Sequence, residues 1–268
     1  MIQEILQRLR KVFRYLQGND PWLSKVLSNR VPSTKVSLES LILKVRGKEI
    51  WRQVVPLDWI IHCEAIWSHD AIIIGGHIGD SSDKLKSQVP KLKSIYVYEP
   101  IPEFFEILKA RFQNNSDIHL RNFAIVKTAG PIIMDVLDDS TLARQTRRSL
   151  PQGTRTGSVE MVCHGINLKD ALQEVENIRE TSLLMNCEGS EYEILESLEY
   201  LQEKPFSILF QTHTTDENSY EKLYETRAQI ARYYIPIICE DWAWDIWLRK
   251  DVAPLSAIQI ERNLIVNL

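Results

Sequence analysis

Cysteine, long apolar runs and a surplus of positive charge are what this sequence has little of. Its four cysteines, Cys63, Cys163, Cys187 and Cys239, stand far apart, with no Cys-x-x-Cys pair and no Cys/His cluster at zinc spacing. That spacing argues against a structural zinc module and for buried free thiols in a reducing compartment. The longest aliphatic stretch is Ala71-Ile72-Ile73-Ile74, far short of the roughly 18 residues of a spanning helix. The N-terminus has no continuous apolar core of the signal-peptide kind, so a cytoplasmic protein without an integral membrane segment is expected. Lys and Arg number 32 against 36 Asp and Glu, a formal net charge of −4 and a pI near 5.9. No global basic field exists to hold a nucleic-acid backbone, and nucleic acid is not an expected partner. Repeats and low-complexity tracts are absent too.

What is present is the balance of an ordinary globular protein: 268 residues, 44% hydrophobic and 25% charged. That length suggests one large domain, alone or with a small appendage. Ile2, Ile5, Leu6, Leu9, Val12, Phe13 and Leu16 recur at helical spacing, which predicts an amphipathic helix over residues 1–16. Packing against its own domain is the leading expectation for its stripe; a membrane surface and a homodimer contact are the alternatives. Two β-rich runs over residues 36–55 flank Arg46-Gly47-Lys48 and predict a hairpin. Residues 1–60 therefore read as an accessory region and 61–268 as the main domain.

From about residue 56, short apolar runs alternate with amphipathic stretches, the pattern of an α/β fold with a mostly parallel sheet. Strands are expected at 71–75, 94–99, 118–121, 131–136, 158–164, 182–187, 205–211, 233–239 and 257–266. Helices are expected near 56–67, 80–88, 102–114, 168–178, 190–201 and 217–230, with Pro102 suited to a first helical turn. Residues 138–157 are polar, hold Arg144, Arg147, Arg148 and Arg155, and lack a strong period. They read as a long loop, either solvated or a lid able to hold an anionic group. Trp242, Trp244 and Trp247 form an aromatic patch, for which burial is the commoner role and stacking on a sugar or peptide side chain the other.

Three segments carry candidate chemistry. Residues 72–80 run an aliphatic strand into Gly75-Gly76-His77-Ile78-Gly79-Asp80, a turn whose glycines let a backbone approach a nucleotide-like ligand. The next expected strand ends in Glu99-Pro100, an acid 20 residues after Gly79, where a carboxylate can accept both ribose hydroxyls of an adenosine cofactor. Its alternative role is a helix-entry acid. Residues 183–193 repeat the strand-to-turn pattern through Asn186-Cys187-Glu188-Gly189-Ser190-Glu191. In an open parallel sheet this turn would face the same crevice as residues 75–80. Its acids could equally just favour a helix N-terminus.

Taken in order, these residues resemble the FkbM-type S-adenosylmethionine-dependent methyltransferases. The likeness rests on IIGGHIGD at 73–80, YEP at 98–100, NFA at 122–124, NLKDAL at 167–172, NCEGSEYEIL at 186–195 and QTH at 211–213. It covers about residues 70–213. The sequence departs from the family at Ile73, where an aspartate is usual, at His77 for asparagine, at Asn186 for aspartate and at Gln211 for glutamate.

The resemblance implies a Rossmann-like class I methyltransferase sheet with helices on both faces, and S-adenosylmethionine as cofactor. It implies cofactor contacts from Gly75, Gly76, His77, Gly79, Asp80, Glu99, Pro100, Asn122, Phe123, Ala124 and Asn186, with no metal. His213, aligned with the family's histidine, is the first candidate for a general base and Glu188 the second. O-methylation of a hydroxyl on a sugar or secondary metabolite is the implied reaction. A peptide carboxylate or amide as acceptor, and a non-catalytic interaction module that retains the fold, are the alternatives. A nicotinamide-dependent oxidoreductase would use the same sheet and ribose acid, but the Gly-Gly-His-Ile-Gly spacing argues against it.

Overall fold

Five consecutive buried residues, Asp70–Ile74, form the strand β3 on which the molecule is organised. In the computed structural model the described residues are 39–45, 48–54, 57–62, 64–137, 143–145, 158–213, 217–239 and 244–253. The expected helix over 1–16, the strand at 257–266, Cys63, Trp242, Arg147, Arg148 and Arg155 lie outside them. The expected hairpin is present as β1 (Glu39–Val45) and β2 (Lys48–Val54), antiparallel, with Val45 opposite Lys48. A short helix, α1 (Leu57–His62), follows. Its Ile60 and Ile61 are fully buried in the core of the main sheet, directly across the expected boundary at residue 60.

The main sheet has seven strands: β3, β4 (Ser94–Tyr98), β5 (Ile118–Arg121), β10 (Thr181–Met185), β11 (Ser207–Gln211), β12 (Tyr234–Cys239) and β13 (Trp244–Arg249). Their spatial order is β12-β13-β11-β10-β3-β4-β5. Neighbours from β11 to β5 are parallel, whereas β13 runs antiparallel to both β11 and β12. Successive strands after β3 spread to one side and β10 and β11 to the other. The chain thus reverses its direction of travel between β3 and β10, and a crevice opens at their carboxyl ends. This is a Rossmann-like α/β sheet. After Asp70, β3 reads as an unbroken apolar run because it has parallel neighbours on both edges and packed layers on both faces.

Alternation along β3 divides the core. Ile73 faces the layer of α2 (Asp80–Gln88) and α3 (Pro102–Phe112), among Leu85, Val97, Leu108, Phe112 and Leu184. Ile72 and Ile74 face the layer of α4 (Leu168–Leu172), α5 (Glu191–Glu196) and α6 (Glu217–Ile230), among Leu168, Tyr192, Leu195 and Leu223. The two layers also receive one tryptophan each from β13: Trp244 joins the first and Trp247 the second. Both are buried, as side chains three positions apart on a strand enclosed on both faces must be. Beneath Trp247, the Arg227 guanidinium donates from Nε and Nη2 to the two carboxylate oxygens of Asp245 at 2.7 and 2.6 Å, tying α6 to β13.

The segment between β5 and α4 corrects the single-sheet expectation. The strands expected at 131–136 and 158–164 do not enter the parallel sheet; they belong to a second, four-stranded one of order β6-β9-β7-β8. It contains β6 (Ala124–Val126), β7 (Gly130–Leu137), β8 (Ala143–Gln145) and β9 (Ser158–Asn167). β7 pairs antiparallel with β8 and β9, and β6 pairs parallel with β9. Ile132, Met134 and Cys163 point inward while Glu160 and Val162, the latter 69% exposed, point out. Such alternation belongs to a half-buried sheet, not to a strand covered on both faces. β8 also places Ala143–Gln145 in a strand within the stretch expected to be a loop. Helix α4 is shorter than expected and ends at Leu172.

Candidate active site

The chain leaves β3 through a turn that only particular residues can form. Gly75 has φ +86°, and a Cβ there would lie 2.1 Å from the carbonyl oxygen of Asn186. The N–H groups of Gly75 and Gly76 both donate to the Tyr98 carbonyl, at 3.0 and 3.1 Å, so the turn folds over the end of β4. Gly79, with φ +95°, caps α2 where a Cβ would strike the ring of Phe112 at 2.6 Å. Between them His77 adopts a left-handed φ of 47°. Its ring meets Phe104 edge-on at 4.4 Å, and partial burial holds its pKa below the usual histidine value against the pull of Asp80.

Glu99 follows β4 and is only 4% exposed. Its Oε2 accepts the His77 backbone N–H at 2.7 Å and its Oε1 that of Ile101 at 2.9 Å. Burial nevertheless pushes its carboxyl up to about 6, because two hydrogen bonds from neutral donors offset only part of the lost hydration. Asn122 donates its side-chain amide to the carbonyls of Glu99 and Pro100, at 2.8 and 3.1 Å. It is a brace for that corner and does not line the cavity described below.

A second turn leaves β10. The Asn186 N–H donates to the Ile74 carbonyl at 2.9 Å, which joins the two turns side by side. Glu188 is left-handed at φ 55°, a conformation that costs a non-glycine residue about 1–2 kcal/mol. Glu191 is fully buried; its Oε1 accepts the Cys187 N–H and its Oε2 the Gly189 N–H, both at 2.7 Å. His213, just past β11, brings Nδ1 to 2.9 Å from Glu191 Oε1 and Nε2 to 3.7 Å from Glu188 Oε1.

These pieces surround a cavity of about 260 Å³ at the carboxyl ends of β3, β4 and β10. One part of its wall is apolar: Phe123, Ala124, Ile125 and Val126, with Ile132 and Met134 of the second sheet. Another is polar: Asp80, Ser81, Asn186, Glu188 and Ser190. Ile74, Gly75, Gly76, His77, Tyr98, Glu99, Pro100, Phe104 and Cys187 complete it. Of the residues singled out in the sequence, Gly79, Asn122 and His213 stand outside this lining. Gly79 shapes the turn, and His213 lies behind Glu188.

The two positions after β3's midpoint from which an acid could serve a cationic ligand are 73 and 80. Position 73 holds an isoleucine in the core, facing away from the cavity lining. Asp80 reaches the cavity, but Arg111 donates to its Oδ1 at 2.7 Å, to the Ile78 carbonyl at 2.8 Å and to Asp83 at 2.7 Å. Ile132 and Met134 were not foreseen as wall residues, because strand periodicity names an inward face without naming what it faces. Glu191 was legible only as a helix-entry acid. Elsewhere, His69 pairs with Glu180 at 2.8 Å and His119 stacks on Tyr96 at 4.7 Å. Among the described residues no group of three or more His, Cys, Asp or Glu is placed to hold a metal ion. Cys163 and Cys239 are buried and Cys187 half-buried, all as free thiols. No helix among the described residues is long and apolar enough to cross a membrane.

No protein-family model and no curated protein matches the sequence. Solved structures with a similar fold include the methyltransferase FkbM from Methylobacillus flagellatus KT, at 14% identity and a TM-score of 0.45, covering 68% of this chain. The present chain spans 43% of that one. An O-methyltransferase from Bacillus cereus in complex with SAH has 11% identity and a TM-score of 0.41, covering 93% of this chain and 100% of its own. Aeropyrum pernix fibrillarin with natively bound S-adenosyl-L-methionine has 11% identity and a TM-score of 0.41, covering 81% of this chain and 86% of its own.

Proposed function

We propose that this chain is an S-adenosylmethionine-dependent methyltransferase whose cofactor lies across the turn at residues 75–80, and that it methylates a hydroxyl of a sugar or secondary metabolite. The observation that carries the reading is Glu99 in the cavity. Each of its carboxylate oxygens spends one lone pair on a backbone N–H and keeps another, which matches the two donors of a ribose diol. The residues present fit the rest of the group. Phe123, Ala124 and Ile125 offer an apolar surface to a purine, while Asn186 and Glu188 offer polar atoms and negative charge to an amino-acid moiety.

When bound, S-adenosylmethionine supplies an activated methyl group. The chain supplies position, which is worth much of the barrier when two reactants must meet in line. Asn122 fixes the corner at Glu99 and Pro100, and the Asn186–Ile74 hydrogen bond fixes the polar turn beside the glycine turn. Glu188 at the wall, backed by His213 Nε2, is placed to take the proton of an acceptor hydroxyl.

A second reading, a binding module that keeps the fold without turnover, is favoured by one observation. Ile73 is buried in the core and Asp80 is engaged by Arg111, so neither position offers an uncommitted acid to a cationic ligand. Calorimetric titration with S-adenosylmethionine, its demethylated product and NAD separates the readings, with Glu99→Ala as control. Micromolar binding of the two sulfur compounds, abolished in the control, supports the methyltransferase. A folded protein that binds neither refutes autonomous catalysis.

A further inference from the structure

Near the end of α3, Arg111 spans the start of α2 with one planar guanidinium. Its Nη1 donates to the Ile78 carbonyl at 2.8 Å and to Asp80 Oδ1 at 2.7 Å, and its Nη2 to Asp83 Oδ2 at 2.7 Å. An ion pair to a carboxylate that is 65% exposed would by itself hold little. Here three acceptors share one rigid fork, and one of them is a backbone carbonyl inside the glycine turn. The guanidinium also lies 5.7 Å from the ring of Phe112, the ring against which Gly79 is packed. Asp80 and Ser81 bring the first turn of α2 to the cavity, and Arg111 is absent from its lining. With Asp80 answered from outside, that end meets a ligand with the positive pole of the helix dipole and not with a free acid.

We propose that Arg111 is a specificity-determining residue: by holding Asp80 it denies that acid to a bare cation, so the cavity takes an amino-acid group that keeps its carboxylate in preference to the same group without one. Arg111 acts through Asp80 and the Ile78 carbonyl. The adenosyl part of the ligand rests on the methyltransferase reading; the hold on Asp80 does not. Discrimination of this kind comes from withholding a partner from the wrong ligand as much as from contacting the right one.

The test is calorimetry on the full chain with S-adenosylmethionine, its decarboxylated form, and 5′-methylthioadenosine, which carries neither amine nor carboxylate. In R111M the freed Asp80 can accept the ammonium of the decarboxylated form, whose affinity relative to S-adenosylmethionine is expected to rise about threefold or more. A smaller rise overturns the proposal, since a merely structural Arg111 would weaken all three ligands alike. Adding D80N to R111M should bring the ratio back to within about twofold of the wild type, and R111K, which keeps the charge, should leave it there. A ratio that stays high in either variant overturns the role given to Asp80. If R111M does not fold, D80N alone decides: an acid already withheld can be removed with less than about a twofold change in the ratio, and a larger change refutes the withholding. Should the wild type bind none of the three compounds, the methyltransferase reading fails, and amide exchange tests the clamp by itself. The Asp83 N–H, which donates to the Gly79 carbonyl at 2.9 Å, should then exchange about threefold faster or more in R111M. Unchanged exchange there overturns the clamp.

Discussion

The carboxylate of Glu99 accepts the backbone N–H of His77 at 2.7 Å, so the acid at the end of β4 holds the crest of the glycine turn that follows β3. Two sheet strands and a candidate ligand site are coupled through that one bond. Because the carboxyl is nearly sealed from solvent and titrates at about 6, its ionisation has measurable consequences.

The first consequence is for cofactor affinity. Below pH 6 a proton occupies one of the oxygens that the proposed ribose contact requires. The dissociation constant for S-adenosylmethionine is expected to rise about tenfold between pH 7 and pH 5. Calorimetry at fixed ionic strength measures this. A flat profile would remove Glu99 from the contact.

The same shift acts on stability. Between the ordinary value of 4.5 and about 6 the native state holds this proton more tightly than the unfolded chain. Raising the pH through that window therefore lowers stability, by on the order of 2 kcal/mol for this group, with no further change above it. Denaturation midpoints for wild type and Glu99→Ala across pH 4–8 report the difference: the variant should lack that decline.

Placing an acid at position 73 will not create a cofactor contact. Ile73 is buried among Val97, Leu108 and Leu184, and a carboxylate there would be desolvated with no partner. Ile73→Asp is expected to destabilise the fold by about 3 kcal/mol or more, with no gain in affinity for S-adenosylmethionine. Urea denaturation and calorimetry decide it; a stable variant that binds more tightly would mean that the end of β3 differs from the arrangement described.

Arg227 and Asp245 offer a test of the architecture away from the cavity. Both are buried and joined by two hydrogen bonds. Arg227→Ala leaves a buried charge behind and is expected to cost about 3–5 kcal/mol. Arg227→Met with Asp245→Leu should recover most of that loss, since a buried pair replaced by apolar groups is often neutral. Equal losses in the single and double variants would point to packing around Trp247 as the cause.

The parts of this fold that were legible in the sequence share one physical property: local pattern and final environment agree. β3, β4, β10 and β11 are short apolar runs because each has strands on both edges, and α2, α3 and α6 keep a period of 3.6 against a single layer. Gly75, Gly79 and Glu99 stand out because few other residues tolerate those backbone angles or that position. β7 and β9 were legible as strands and misassigned as to sheet, since a strand's own residues do not name its partner. β6 is too short to register, and the Asp245 and Arg249 within β13 masked a strand whose charges are satisfied only in three dimensions. The pairing of Glu191 with His213 spans 22 positions and arises only when β10 and β11 lie side by side.

The apolar wall of the cavity comes from a sheet separate from the one that carries the glycine turn and Glu99. Ile132 and Met134 belong to β7, and Val126 to β6, whereas the turn and its acid belong to β3 and β4. A ligand in this cavity would therefore clasp two structural units, and its binding energy would resist their separation. Substitutions confined to β7 can reshape what the cavity admits while the hydrogen bonds among β3, β4 and β10 stay intact, so breadth of ligand choice and integrity of the scaffold are free to vary independently.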